Sequence, residues 1–160
     1  MEKFFVTIYG WIYSLFHLYH ENFDLYLWGY DPAGEEFSNP NIYNQIGLIT
    51  LVVSLVVAIV YFYVINHPRA SWWSWILTLL INSIICLVLG WLIVQSHLIS
   101  GRIPDELLYR DDTSEAVLGP SDCFFFGVSN FFVATLFFVV ISLLINWWSS
   151  NAKFIFRKKN

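Results

Sequence analysis

Two long apolar stretches, Ile46 to Ile65 and Trp72 to Val94, follow one another with only Asn66-His67-Pro68-Arg69-Ala70-Ser71 between them. Neither contains Asp, Glu, Lys, Arg or His, and each reaches the roughly 20 residues with which an α-helix crosses about 30 Å of hydrocarbon. The pair predicts a membrane hairpin. Charged residues make up only 12% of the chain, against about 25% in soluble domains, so lipid is its expected solvent.

Two further apolar stretches flank the hairpin. Phe4 to Trp28 is interrupted by Tyr, Trp and His, and no small-residue cleavage site follows it, so it is expected to stay in the mature chain rather than serve as a secretory signal. It either crosses the bilayer or lies on its surface as an aromatic amphipathic helix. Phe124 to Trp148 supplies the last span. The expected architecture is an all-α bundle of four transmembrane helices at about 4–28, 46–65, 72–94 and 124–148, forming a single membrane domain over 1–160. Exposed acidic loops at 29–43 and 96–122 and a basic tail at 149–160 complete it. These spans leave no room for a separate soluble enzyme domain.

Orientation follows from the cations beside the spans, because Lys and Arg are retained on the cytoplasmic side. With four spans, Lys3, Arg69, Lys153, Arg157, Lys158 and Lys159 share one side and only Arg102 and Arg110 lie opposite. Both termini are then cytoplasmic, both acidic loops face out, and the basic residues of the inner turn and tail rest on the membrane surface. If the first stretch lies on the outer surface, the C-terminal orientation is unchanged. A bacterial inner membrane suits this pattern, although an organellar subunit has the same composition.

The one catalytic-looking set is His17, His20, Glu21 and Asp24. On one helix their i, i+3, i+4 and i+7 spacing gives them a common face with Tyr13 beside it. Such a set is able to ligate a divalent metal or relay protons, with His97 and Asp122 as candidate additions. A simpler reading also fits: a helix starting near Lys3 has risen roughly 21 Å at His17 and 27 Å at Glu21, so these groups approach the far headgroups. Cys86 reads as a small packing residue and Cys123 as a free interfacial thiol, since their spacing makes neither a metal site nor a disulfide framework. No cofactor motif, nucleotide loop or nucleic-acid-binding module is present.

The other spans carry no ionisable residue in their cores, which argues against a proton-coupled transporter or a charged voltage sensor. Their small and amide residues recur at helix-contact spacing: Gly47, Thr50, Ser54 and Ala58 on the second span, Thr78, Asn82, Cys86 and Gly90 on the third, Asn130 and Ala134 on the fourth. Such ridges admit close helix contact and hydrogen bonds across helices, within the chain or between subunits; lining of a pore by Asn82 or Asn130 is the third option.

These features lead to the expectation of a small inner-membrane protein, not an enzyme, that acts by helix association. Its expected partners are lipid and either copies of itself or other membrane subunits. An ion-conducting pore is an alternative, because nine acidic residues from Asp31 to Asp122 would gather cations at an outer entrance. In span number, cytoplasmic termini and basic tail the chain also resembles the four-span immunity proteins of pore-forming colicins. That architectural resemblance implies a third reading, protection against a membrane-active toxin, and carries no residue motif.

Overall fold

The structure, a computed structural model, describes residues 2–65, 72–110 and 113–148. Its elements are α1 (Glu2–Phe16), α2 (Glu21–Trp28), α3 (Ile42–Ile59) continuing into a π-helical stretch (Val60–Ile65), α4 (Trp72–Ile99), α5 (Asp105–Leu108), strands β1 (Tyr109–Arg110) and β2 (Thr113–Ala116), and α6 (Pro120–Trp148). The two short strands pair antiparallel. The chain is otherwise a helical bundle with turns and loops between its helices.

Among the described residues three helices are long and apolar enough to cross a membrane: Ile42–Val64, Trp72–Ile99 and Pro120–Ile145. All begin or end beyond the apolar runs that mark them in sequence. The Asn41 side chain accepts from the Asn44 backbone N–H and starts α3 four residues before Ile46. α4 runs on past Val94 through Gln95, Ser96 and His97, and α6 opens at Pro120, whose missing N–H costs nothing in a first turn. Residues 29–43 and 96–122 are therefore not loop throughout.

α4 and α6 make the most extensive pairing and run antiparallel, from Trp91 against Phe124 to Trp75 against Phe138. α3 lies beside α6 in the same direction, with Thr50 opposite Asn130. Leu48, Val52 and Val56 of α3, Leu77, Ile81 and Ile84 of α4, and Leu136, Val140 and Leu143 of α6 remain exposed. An apolar outer surface on all three long helices is what a hydrocarbon solvent requires.

The first stretch departs from expectation. It is not one helix over 4–28: α1 stops at Phe16, His17 takes a left-handed φ of 44°, and α2 begins at Glu21. The cause is local. His20 turns its ring back to accept from the Asn22 backbone N–H, capping a new helix instead of prolonging the old one. The 15 residues of α1 rise only about 22 Å. Phe5 meets Phe137 and Phe16 stacks on Phe132, so the two ends of α1 meet positions about 8 Å apart along α6. Phe5 also fits against Gly47 while Tyr9 stacks on Tyr43 and Phe126, so this turn of α1 packs antiparallel along α3 and α6 before the chain breaks at His17.

Its sequence is built for that position. At 100° per residue, Phe5, Tyr9 and Ile12 share one sector and are buried. Phe4, Ile8, Trp11 and Leu15 share a second, where Phe4, Trp11 and Leu15 are exposed; Lys3, Thr7, Gly10 and Ser14 share a third, polar one. α2 is fastened to the end of the bundle where α4 finishes and α6 starts. There the Tyr26 hydroxyl meets His97 Nδ1 at 2.9 Å, Asn22 Nδ2 donates to the Leu107 carbonyl at 3.2 Å, and the His20 backbone N–H donates to Asp122 at 3.0 Å. The second oxygen of Asp122 accepts from the Gly119 N–H, closing the α6 N-terminus. α2 and the loop segments thus form a cap on one end of the bundle, and α1 runs from it along α3 and α6 as far as Phe137.

Candidate functional site

Two polar constructions stand out, one inside the bundle and one in the cap. Asn130 is the centre of the first. Its Oδ1 accepts from the Tyr9 hydroxyl at 2.5 Å and from Thr50 Oγ1 at 2.9 Å, and its Nδ2 donates to the Cys86 carbonyl at 2.6 Å. One side chain therefore ties α1, α3 and α4 to α6. Gly90 makes this fit, because a Cβ there would sit 2.8 Å from Asn130 Nδ2. A second tie lies deeper: Asn82 Nδ2 donates to Ser54 Oγ at 3.1 Å and to the Ala134 carbonyl at 3.4 Å. Ser83 and Thr135 share a bond of 2.8 Å beside it.

The residues singled out as packing or pore-lining candidates fall mainly inside this core. Gly47 receives the Phe5 ring, which would lie 2.3 Å from an added Cβ; Ser54, Ala58, Asn82, Cys86, Asn130 and Ala134 are fully or almost fully buried; Thr78 bonds the Ser74 carbonyl of its own helix. The ridges read from sequence are occupied within the protomer. Arg69, Lys153, Arg157, Lys158 and Lys159 lie outside the described residues.

The second construction is in the cap. Tyr9 stacks on Tyr43 at 4.9 Å and on Phe126 at 5.6 Å, and Tyr19 and Phe23 meet the same Phe126 edge-on. Tyr43 donates its hydroxyl proton to Asp24 in a short hydrogen bond, so the Tyr19 hydroxyl is the donor in the 2.8 Å contact with Tyr43. The order of the relay is Tyr19, Tyr43, Asp24. Burial raises the Asp24 carboxyl above its ordinary range, opposed by the Tyr43 hydrogen bond and helped by Glu21. Burial also pushes the Tyr26 phenol up to about 12, against the pull of Arg102. Tyr26 stays protonated.

Asp24 and Tyr43 face a cavity of about 820 Å³, walled by Lys3, Thr7 and Gly10 of α1, by Trp28, and by residues 37–41. The loop is held shut behind it by Gly29, whose φ of 97° ends α2 and whose Cα lies so close to the Asn39 carbonyl that any side chain would collide. Trp28 and Phe37 pack at 4.7 Å on its rim.

The set His17, His20, Glu21 and Asp24 does not share a helix face, because the chain breaks between its first and second members. His17 packs on Tyr13, His20 caps α2, and Asp24 alone turns inward. Among the described residues no group of three or more His, Cys, Asp or Glu is close enough to hold a metal ion. Asp122 does reach His20, through its backbone N–H, and His97 bonds Tyr26; both act as fasteners. Sequence reasoning passed over Tyr9, Tyr19 and Tyr43, and read Lys3 only as a cation that sets orientation. The three-sector pattern of α1 carried the signal for Tyr9 and Lys3, whereas Tyr43 was counted as loop.

Comparison with protein-family models, with curated proteins and with solved structures finds no match for this chain. The class is defined by its own geometry: a helical integral membrane protein with three helices able to cross the bilayer and a folded cap at one end.

Proposed function

We propose that the chain is a structural subunit of a membrane assembly, a sealed helical scaffold that presents its cap to a partner. The observation carrying this reading is that Asn130 and Asn82 bond across helices within one protomer. Asn130 holds Tyr9, Thr50 and the Cys86 carbonyl, and Asn82 Nδ2 holds Ser54 and the Ala134 carbonyl, so both amides serve as ties between helices rather than as the lining of a pore. The long helices offer lipid an apolar exterior. The cap offers charge: Glu35 and Glu36 lie next to exposed Phe37 in one loop, and Asp105 and Glu106 precede exposed Tyr109 in the other, acidic surfaces suited to a basic partner.

In this reading the cap faces away from the cytoplasm, in a bacterial inner membrane. Arg69 of the turn and Lys153, Arg157, Lys158 and Lys159 of the tail then lie on the opposite, cytoplasmic side. In the same reading the N-terminus shares the cap side, because the 15 residues of α1 are too few to cross alone. Photo-crosslinkers placed in native membranes at Glu36, Glu106 and the lipid-facing Ile84 test the proposal. Reproducible protein adducts from the two cap positions and lipid-only adducts from Ile84 are expected. Adducts from none of the three, together with a purified protein that is monomeric in nanodiscs, would overturn it.

A further inference from the structure

We propose that the cap cavity is a binding site for a zwitterionic headgroup in which an ammonium and a phosphate are joined by a short linker, as in phosphatidylethanolamine. Lys3 and Asp24 line the same cavity, and among the described residues no ion pair joins them. Two opposite charges held apart in one concavity match a ligand whose own charges are held apart. Asp24 is kept in place by the Tyr43 hydroxyl and is half-buried, so its free oxygen is the fixed end of the site. It receives the ammonium through a charge-assisted hydrogen bond.

The rim supplies the rest. Trp28 and Phe37 are 43% and 54% exposed at the cavity edge, an aromatic pair able to present ring faces to a cation. Lys3 stands on the polar sector of α1, where its ammonium meets the phosphate; the Thr7 hydroxyl beside it donates to the Lys3 carbonyl. Gly10 continues that sector without a side chain, and nothing lies within 4 Å of where its Cβ would be, so the cavity is open along α1. The adjoining sector of the same helix exposes Phe4, Trp11 and Leu15, apolar residues beside which the acyl chains of the bound lipid run. The cavity volume of about 820 Å³ accommodates a headgroup with its glycerol.

The test is lipid retention by the whole protein. Purified from nanodiscs containing equal phosphatidylethanolamine and phosphatidylglycerol, and released into mild detergent, it is weighed by native mass spectrometry. Retention of phosphatidylethanolamine over phosphatidylglycerol is expected, falling about tenfold in Asp24→Asn and in Lys3→Gln, the change for one lost charge-assisted contact. Glu106→Gln, on the cap but away from the cavity, should retain lipid as the unsubstituted protein does. Circular dichroism melting of each variant separates loss of lipid from loss of fold.

Displacement by soluble phosphoethanolamine would assign recognition to the headgroup alone. Resistance to displacement, with lipid still selected, would assign it to headgroup and chains together. Equal retention of the two lipids, or folded Asp24→Asn and Lys3→Gln proteins that retain phosphatidylethanolamine unchanged, would overturn the proposal. The readout is taken on a single protomer, so it is independent of whether the cap binds a protein partner.

Discussion

Asn130 does more than any other residue to hold the bundle together. Its amide binds a phenol, a hydroxyl and a backbone carbonyl from three different helices, and truncation would take the partner from the buried phenol and hydroxyl. Asn130→Ala should cost about 1–3 kcal/mol in detergent unfolding. Gly90→Ala should also destabilise, because its new methyl meets the amide. In the Asn130→Ala background that methyl has room, so the double variant should lose less than the sum of the singles. Asp24 behaves in the opposite sense. Its folded carboxyl holds a proton more tightly than the unfolded one, so the stability it contributes is present at low pH and is lost as pH rises through the raised value. Thermal melts of lipid-free protein should therefore show Asp24→Asn more stable than the unsubstituted chain at neutral pH, with the gap closing below about pH 4.

At the scale of elements, what could be read from sequence depended on how local its cause was. The apolar runs behind α3, α4 and α6 announce themselves because lipid exposure demands continuous hydrophobicity. Gly47, Asn82, Gly90 and Asn130 were legible as contact positions from spacing alone, though not their partners, since spacing carries no information about which helix lies opposite. The break at His17 was illegible for a physical reason: a left-handed residue at a helix end is usually Gly or Asn, and here it is a histidine flanked by aromatic residues that fit a helix equally well. The strain is measurable. Replacing His17 by Gly relieves a left-handed cost of about 1 kcal/mol, partly offset by the added freedom of the unfolded chain, whereas a β-branched residue aggravates it. Unfolding temperatures should follow the order His17→Gly at or above the unsubstituted chain, with His17→Ile clearly below.

For the whole molecule, the decisive feature is that the first apolar stretch is two helices rather than one. Counting four spans from composition placed the two acidic loops and the N-terminus on opposite sides. An α1 of 15 residues that ends at His17 is too short to cross alone, so in the proposed arrangement they lie together, a distinction no hydropathy pattern makes. Single cysteines at Lys3 and Glu36 report on it directly, since the native Cys86 and Cys123 are buried. In sealed vesicles both should react with a membrane-impermeant maleimide from the same side; labelling from opposite sides would restore the four-span arrangement.

Asp122 also has a consequence in time. Its two oxygens bind one backbone N–H at the beginning of α6 and another, from His20, 102 residues earlier in the chain; Tyr9 waits on Asn130 across 121. During synthesis the aromatic face of α1 meets Tyr43 and Gly47 once α3 has emerged, but Asn130, Phe126 and Asp122 only when α6 has entered the bilayer. Its packing is thus completed late, so a chain interrupted before α6 would display a half-satisfied tyrosine-rich helix, a ready mark for membrane quality control.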